Sequence, residues 1–244
     1  MPPWTQEGGI DVGFEWGPSG VEALASQYVV VVDVLRFTTA VDAAVSRGAL
    51  VYPYRWKDAS AGEFAQRVGA GLADSQDHTG PSLSPGRLAR LDRGDRVVIP
   101  SPNGSTCAAI ASERGATVVA ACLRNARAVA AWLNGVTAQV AVIACGERWP
   151  DGSFRPSLED HLGAGAVIAG LKGSRSSEAE AAATLWNAMQ LRVPDLVRTS
   201  VSGRELHERR WGDDDLAFAS DLHASSTVPV LINGAFTDAA ARWL

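Results

Sequence analysis

The stretch Tyr28–Val41, YVVVVDVLRFTTAV, decides how this chain is read. Four consecutive valines with no polar alternation suit a strand buried on both faces, the habit of a parallel sheet. Asp33 then puts a carboxylate where the sheet meets its first loop. Arg36, Thr38 and Thr39 follow, and Val41, Ala44 and Val45 continue at helical spacing. Thr39 with Asp42 reads as a capping box for that helix. The succession of strand, polar loop and helix is the first half of a βαβ unit.

The succession recurs along the chain. ALVYPY (49–54) reads as a strand and KDASAGEFAQRVGAG (57–71) as a helix. LADSQDHTGPSLSPGRLARLDRG (72–94) is rich in Gly, Pro and Ser and reads as a long loop with a short helical end. DRVVIP (95–100), ATVVAAC (116–122) and AQVAVIAC (138–145) read as strands. The helices TCAAIASERG (106–115), NARAVAAWLNG (125–135) and LEDHLGAGAVIAGL (158–171) follow them, the last after the loop GERWPDGSFRPS (146–157). Residues 173–190 read as a surface loop and helix, and TVPVLING (227–234) as a final strand. No linker or fixed-period repeat interrupts the pattern. The expectation is an α/β fold over residues 1–244 as one domain, with a mainly parallel or mixed sheet, helices on both faces and three layers.

Composition narrows the function. Of 244 residues 46% are hydrophobic and 20% charged, and the net charge is −5, so no basic face for nucleic acid is expected. No apolar stretch approaches the ~20 residues of a membrane span. The opening MPPWTQEGG has neither basic nor apolar region of a signal peptide, which makes the cytoplasm the expected location. Cys107, Cys122 and Cys145 are odd in number and form no CxxC pair, so they read as buried small hydrophobes rather than a disulfide frame or zinc site. Cys145, beside charged residues at a strand end, is also weighed as a nucleophilic thiol. The apolar fraction is compatible with a homo-oligomer.

In a parallel sheet, ligands bind beyond the carboxyl ends of the strands. That rule collects Asp33, Arg36, Thr38 and Thr39 after the first valine strand. It adds Ser101, Asn103, Gly104, Ser105 and Thr106 after RVVIP, and Arg124 and Asn125 after VVAAC. Glu147 and Arg148 follow VAVIAC, and Glu159 and Asp160 open the next helix. Helix N-termini and arginines favour a phosphate or another oxyanion. Carboxylates without a His or Cys cluster suit Mg²⁺. The expected metal ligands are Asp33, Glu147, Glu159 and Asp160.

Structural readings stand beside these. Asp33 can cap a helix, Arg36 can serve a surface ion pair, and Ser105 can be an N-cap in SPNGS. Ser157 and Asp160 fit a capping box, Glu147 and Arg148 a solvated pair, and GAGA (163–166) close helix packing. His161 and His223 read as structural. An Asp-x-Asp phosphoenzyme, as in haloacid-dehalogenase phosphatases, is discounted because position 35 is Leu.

The motifs, taken in order, resemble the 2-phosphosulfolactate phosphatase (ComB) family over most of the chain. VVDVLRFTTAV is similar to that family's Asp-Val-Leu-Arg-x-Thr-Thr segment, and SPNGST to its Thr-Asn-Gly-Thr-Arg segment. CLRNARAVA resembles its Leu-Asn-Ala-x-x-Val-Ala helix. CGERWPDGSFRPSLEDHLGAGAV resembles its Leu-Glu-Asp block, and SGREL and VPVLING fit its C-terminal part. The chain departs from the family at Gln66, where a Glu is usual, at Thr106, where an Arg is common, and in GPSLSP, which lacks an Asn.

The resemblance implies a Mg²⁺-dependent phosphatase that converts 2-phospho-3-sulfolactate to 3-sulfolactate, a step toward coenzyme M. The implied catalytic residues are Asp33, Arg36, Glu147 and Asp215, the last matching the family's C-terminal acid and otherwise readable as an exposed acidic loop. Thr38, Thr39, Asn103, Gly104, Ser105, Arg124, Asn125 and Arg204 would hold the small anionic phosphate ester. The alternative is a non-catalytic binder of organic anions without a metal site, a reading that rests on Gln66.

Overall fold

The computed structural model describes residues 11–24, 26–73, 82–136, 138–209 and 211–240. The MPPWTQEGG segment and residues 74–81 of the Gly/Pro-rich loop, which include the start of GPSLSP, lie outside the described residues.

The valine run forms β2 (Tyr28–Val32), and it is buried on both faces as its composition requires. Val30 and Val32 point into one core and Val29 and Val31 into another, the period of two that a strand imposes. Beside β2 lie β7 (Val140–Ala144) and β6 (Thr117–Ala121), both parallel to it. β1 (Val12–Trp16) runs parallel to β7 at the edge. A second parallel group consists of β3 (Leu50–Tyr54), β5 (Arg96–Pro100) and the short β4 (Gly71–Leu72). An antiparallel hairpin joins the two groups, formed by β10 (Pro229–Ile232) and β11 (Ala235–Asp238). The nine-stranded order is β1-β7-β2-β6-β10-β11-β3-β5-β4.

The expected α/β architecture is therefore present, with a mixed sheet. Each seam of the hairpin is a single pairing, Val230 with Val119 and Phe236 with Val51. Both seams are antiparallel, so the β3–β5–β4 group runs counter to the β2 group. The sequence reading anticipated neither β11 nor the pair formed by β1 and α1 (Gly17–Ala23).

Helices fill the layers. α6 (Ala126–Leu133), α7 (Leu158–Gly170) and α8 (Ser177–Met189) cover one face of the β2 group. α2 (Phe37–Val45) and α5 (Gly104–Glu113) pack on its other face and reach across to β3 and β5. α3 (Ser60–Val68) covers the far side of the β3 group. Every residue of α2 is buried, because sheet lies on two sides of it. The GAGA stretch is packing, as one reading had it. A Cβ on Gly165 would stand 2.3 Å from the Ala182 carbonyl oxygen, so α7 and α8 touch backbone to backbone. α8 is the expected surface helix, with one face, Ala179, Ala182, Ala183 and Trp186, buried against the fold.

The capping expectations change. α2 begins at Phe37, so Thr39 lies inside the helix and cannot cap it. Its hydroxyl donates to the Val34 carbonyl at 2.7 Å. α5 begins at Gly104 after Asn103, and Ser105 donates to the Ile99 carbonyl at 3.1 Å instead of capping. GERWPDGSFRPS is a small hairpin of β8 (Glu147–Arg148) and β9 (Phe154–Arg155). Short helices complete the described fold: α4 (Pro85–Leu88), a 3-10 turn at Gln190–Arg192, α9 (Val193–Thr199), α10 (Val201–His207) and α11 (Gly212–Ala219). Among the described residues no helix is long and apolar enough to cross a membrane.

Candidate functional site

Asp33 follows β2 directly and is buried. Its Oδ1 accepts the Phe37 amide at 3.1 Å and its Oδ2 the Gly104 amide at 3.0 Å. These are the first residues of α2 and α5, so one carboxylate faces two helix N-termini and their positive dipole ends. Gly104 is required there, because a Cβ would stand 2.2 Å from the Phe37 ring and 2.7 Å from Asp33 Oδ2. Thr38 locks the turn from beneath. Its hydroxyl accepts the Asp33 amide at 2.9 Å and donates to the Asp33 carbonyl at 2.8 Å. Asp33 is thus a cap and, by its surroundings, a candidate reactive group.

Three further acids gather round it. Burial, then the charge of Glu147, pushes the Asp33 carboxyl up to about 7 against the pull of its two backbone donors. Glu147 comes from β8, and Asn103 Nδ2 donates to its Oε2 at 2.9 Å. Burial raises the Glu147 carboxyl too, while Asn103 and the Arg155 cation oppose the rise. Glu159 stands in the first turn of α7 at 2% exposure, and its Oε2 has no hydrogen-bond partner among the described residues.

Asp160 does more than serve its own helix. It accepts the Val34 amide at 2.7 Å, the Gly146 amide at 2.9 Å and the Ser157 hydroxyl at 2.8 Å. It therefore clamps the loops after β2 and β7 to the start of α7. Burial, with Asp33 and Glu159 nearby, holds its carboxyl well above the usual range.

The arginines are engaged. Arg36 pairs with Asp215, which α11 buries completely and which Ser84 also bonds, so Asp215 is no exposed loop acid. Burial raises the Asp215 carboxyl, opposed by Ser84 and Arg36. Arg124 pairs with Asp42 at 3.2 Å and Asp221 at 3.1 Å, and lies 3.9 Å from the Phe218 ring centroid. Asn125 accepts the Cys122 amide at 2.8 Å and donates to the Ala120 and Thr227 carbonyls, both at 3.2 Å, so it ties the end of β6 to the segment before β10. Arg204 is exposed on α10 and donates to the Thr199 carbonyl.

The expected site thus divides. The structure brings together Asp33, Asn103, Gly104, Glu147, Glu159 and Asp160. The hydroxyls of Thr38, Thr39 and Ser105 are spent on backbone carbonyls in fully buried surroundings, where unpaired polar groups are costly. Arg148 is exposed and bonds the Gly152 carbonyl at 2.9 Å instead of pairing with Glu147. His161 stacks on Phe14 at 5.3 Å and His223 meets Trp186 edge-on at 6.0 Å. Cys145 is buried beside Cys107, and burial raises its thiol well above the ordinary value, which disfavours a thiolate. Gln66 is an exposed residue of α3. Arg155, which the sequence reading passed over as loop, is the buried cross-strand partner of Glu147.

The donor set can be tested against a metal. Among the described residues no three His, Cys, Asp or Glu side chains stand together closely enough to hold an ion by themselves. Mg²⁺ asks for less, usually one or two carboxylates completed by waters and substrate phosphate. The acids offer oxygen only, and the partnerless Oε2 of Glu159 is a buried acceptor that a cation would satisfy. The residues fit the ion on those terms.

Comparison with known proteins places this arrangement. A family model described as 2-phosphosulpholactate phosphatase matches residues 18–234. A protein of Prochlorococcus marinus named probable 2-phosphosulfolactate phosphatase is 28% identical in an alignment of 228 positions that covers 87% of this chain and 90% of that protein. One from Synechococcus sp. with the same name is 32% identical, with 87% and 90% covered. The Methanothermobacter thermautotrophicus protein named 2-phosphosulfolactate phosphatase is 28% identical, with 84% and 87% covered. The matched span contains all the gathered acids and the strands that carry them, and the chain belongs to the 2-phosphosulpholactate phosphatase family.

Proposed function

We propose that this protein is a Mg²⁺-dependent phosphomonoester hydrolase that acts on 2-phosphosulfolactate, releasing 3-sulfolactate and phosphate. Family membership and the names of the relatives support the reaction. The observation that carries the site is the Asp33 carboxylate, held between the amides of Phe37 and Gly104 and crowded by Glu147 and Glu159.

One or two of the carboxylates Asp33, Glu147 and Glu159, completed by waters and substrate phosphate, would hold the ion, with Asp160 fixing the loops that carry Asp33 and Glu147. The bound ion would neutralise charge on the phosphoryl oxygens, the main need in phosphoryl transfer. The chain does the rest. The α2 and α5 N-termini turn positive dipole ends toward the same place and favour a dianionic ester there. Asn103 fixes the rotamer of Glu147. Arg36, oriented by Asp215, would supply positive charge from the loop that Asp33 opens. Burial and the neighbouring acids raise the Asp33 carboxyl while no cation is bound, and a bound cation would oppose that rise and hold the carboxylate ionised.

An acidic chain with three free buried cysteines suits a reducing cytoplasm. In this reading the 3-sulfolactate product goes toward coenzyme M. The rival, a binder without catalysis, draws on Gln66, an exposed residue of α3. Release of phosphate from 2-phosphosulfolactate and a panel of small phosphate esters, with Mg²⁺ or with EDTA, separates the two.

A further inference from the structure

The site's remaining cation is Arg155. It faces Glu147 across the β8–β9 ladder and is 5% exposed. Its Nη2 meets Glu205 Oε2 of α10 at 3.1 Å, and its guanidinium lies 5.3 Å from the Trp149 ring centroid. Its Nε is buried without a partner among the described residues. Buried guanidinium N–H groups are seldom left unused, because each unpaired donor costs free energy.

Its partner also sets it apart. Arg36 is matched by Asp215, which has no exposed surface, and Arg124 by Asp42, which has almost none, as well as by the exposed Asp221. Arg155 is matched by Glu205, whose side chain is 55% exposed. Water already solvates that carboxylate, so another oxyanion can replace it at small cost. Trp149 keeps the guanidinium plane in place when the partner leaves.

We propose that Arg155 is a specificity-determining residue. It takes a second oxyanion of the substrate, the carboxylate or sulfonate that is not transferred, through Nη2 and the unused Nε, and Glu205 holds the place until substrate arrives. Two parallel N–H bonds from an arginine fork suit a planar carboxylate and also a sulfonate edge. The inference rests on the phosphatase reading, since that reading supplies a substrate with more than one anionic group.

3-Sulfolactate carries both of the other anions and no phosphate, so its binding, compared with that of inorganic phosphate, reports on this subsite. Calorimetric Kd values for 3-sulfolactate and for inorganic phosphate would be compared in wild type, Arg155→Gln and Glu205→Gln. Loss of a charge-assisted pair is worth roughly tenfold or more in affinity. The expected result is that the Kd ratio of 3-sulfolactate to phosphate rises at least that much in Arg155→Gln. In Glu205→Gln, a change at an exposed side chain that spares folding, 3-sulfolactate should bind more tightly. An unchanged ratio in Arg155→Gln, or unchanged 3-sulfolactate affinity in Glu205→Gln, overturns the subsite and leaves the phosphatase reading standing. A wild-type protein that binds neither ligand overturns both.

Discussion

The amide of Gly104 donates to Oδ2 of Asp33 at 3.0 Å, across 71 positions of chain. This bond ties the loop after β5 to the end of β2. Those strands belong to groups that run in opposite senses and are joined through the β10–β11 hairpin. The site therefore draws on both groups, not on the strand ends of one alone.

Substituting Gly104 tests that junction. In Gly104→Ala the new methyl must displace the Phe37 ring or the Asp33 carboxylate. The fold should lose roughly 1–3 kcal/mol, the usual cost of overpacking, and affinity for phosphate should fall with it. Calorimetry of both the melting transition and phosphate binding checks this, and an unchanged melting temperature would count against the close approach.

The pH dependence of stability follows from Asp33. In the folded protein its carboxyl is raised to about 7, above the ordinary 3.8, so the folded state binds the proton more tightly than the unfolded chain. Its contribution to stability is full below about pH 4 and fades as pH climbs toward 7. Glu147, Asp160, Asp215 and Asp42 are raised also and act with the same sign. In EDTA the melting temperature should fall from pH 4 to pH 7, and Asp33→Asn should flatten that slope. A slope identical in both proteins would exclude the shift assigned to Asp33.

The Arg36–Asp215 pair is expected to be costly to break. Both partners are largely buried, so Asp215→Ala leaves a guanidinium without a counter-charge. The loss should be on the order of 3 kcal/mol, with part recovered when Arg36 is also replaced by Met. The same treatment of Arg175 and Glu180, whose side chains are 22% and 62% exposed, should cost about 1 kcal/mol or less. Urea melts of the single and double variants give the comparison.

Cys145→Ala should retain turnover, because a buried thiol with a raised pKa supplies no thiolate. Stability should drop by about 1 kcal/mol for the small cavity. Loss of activity from a folded Cys145→Ala protein would return the thiol to the mechanism.

Much of the fold was legible because burial leaves a periodic trace. Val29–Val32 had to be a doubly buried strand, and the small-residue helices 104–113 and 158–170 followed their strands as βαβ units demand. The antiparallel hairpin was not legible in the same way. β11 reads AFTD, too short and too polar to announce a strand. Of the site, the acids at strand ends were visible since strand ends are where ligands gather. The fate of Thr38, Thr39 and Ser105 was not. A hydroxyl near a strand end looks alike whether it meets a ligand or a carbonyl, and only the full burial of α2 and of Ser105 decides for the carbonyl. Arg155 was hidden by its setting, since SFRPS looks like ordinary loop until the β8–β9 pairing turns it toward Glu147.

The central claim is that Asp33 works at a Mg²⁺-dependent phosphoryl centre. The most direct measurement is phosphate release from 2-phosphosulfolactate by wild type and Asp33→Asn, each with Mg²⁺ and with EDTA. The account expects turnover that EDTA abolishes, reduced on the order of a hundredfold or more in a folded Asp33→Asn protein. Turnover undiminished in Asp33→Asn, or indifferent to EDTA, would contradict it.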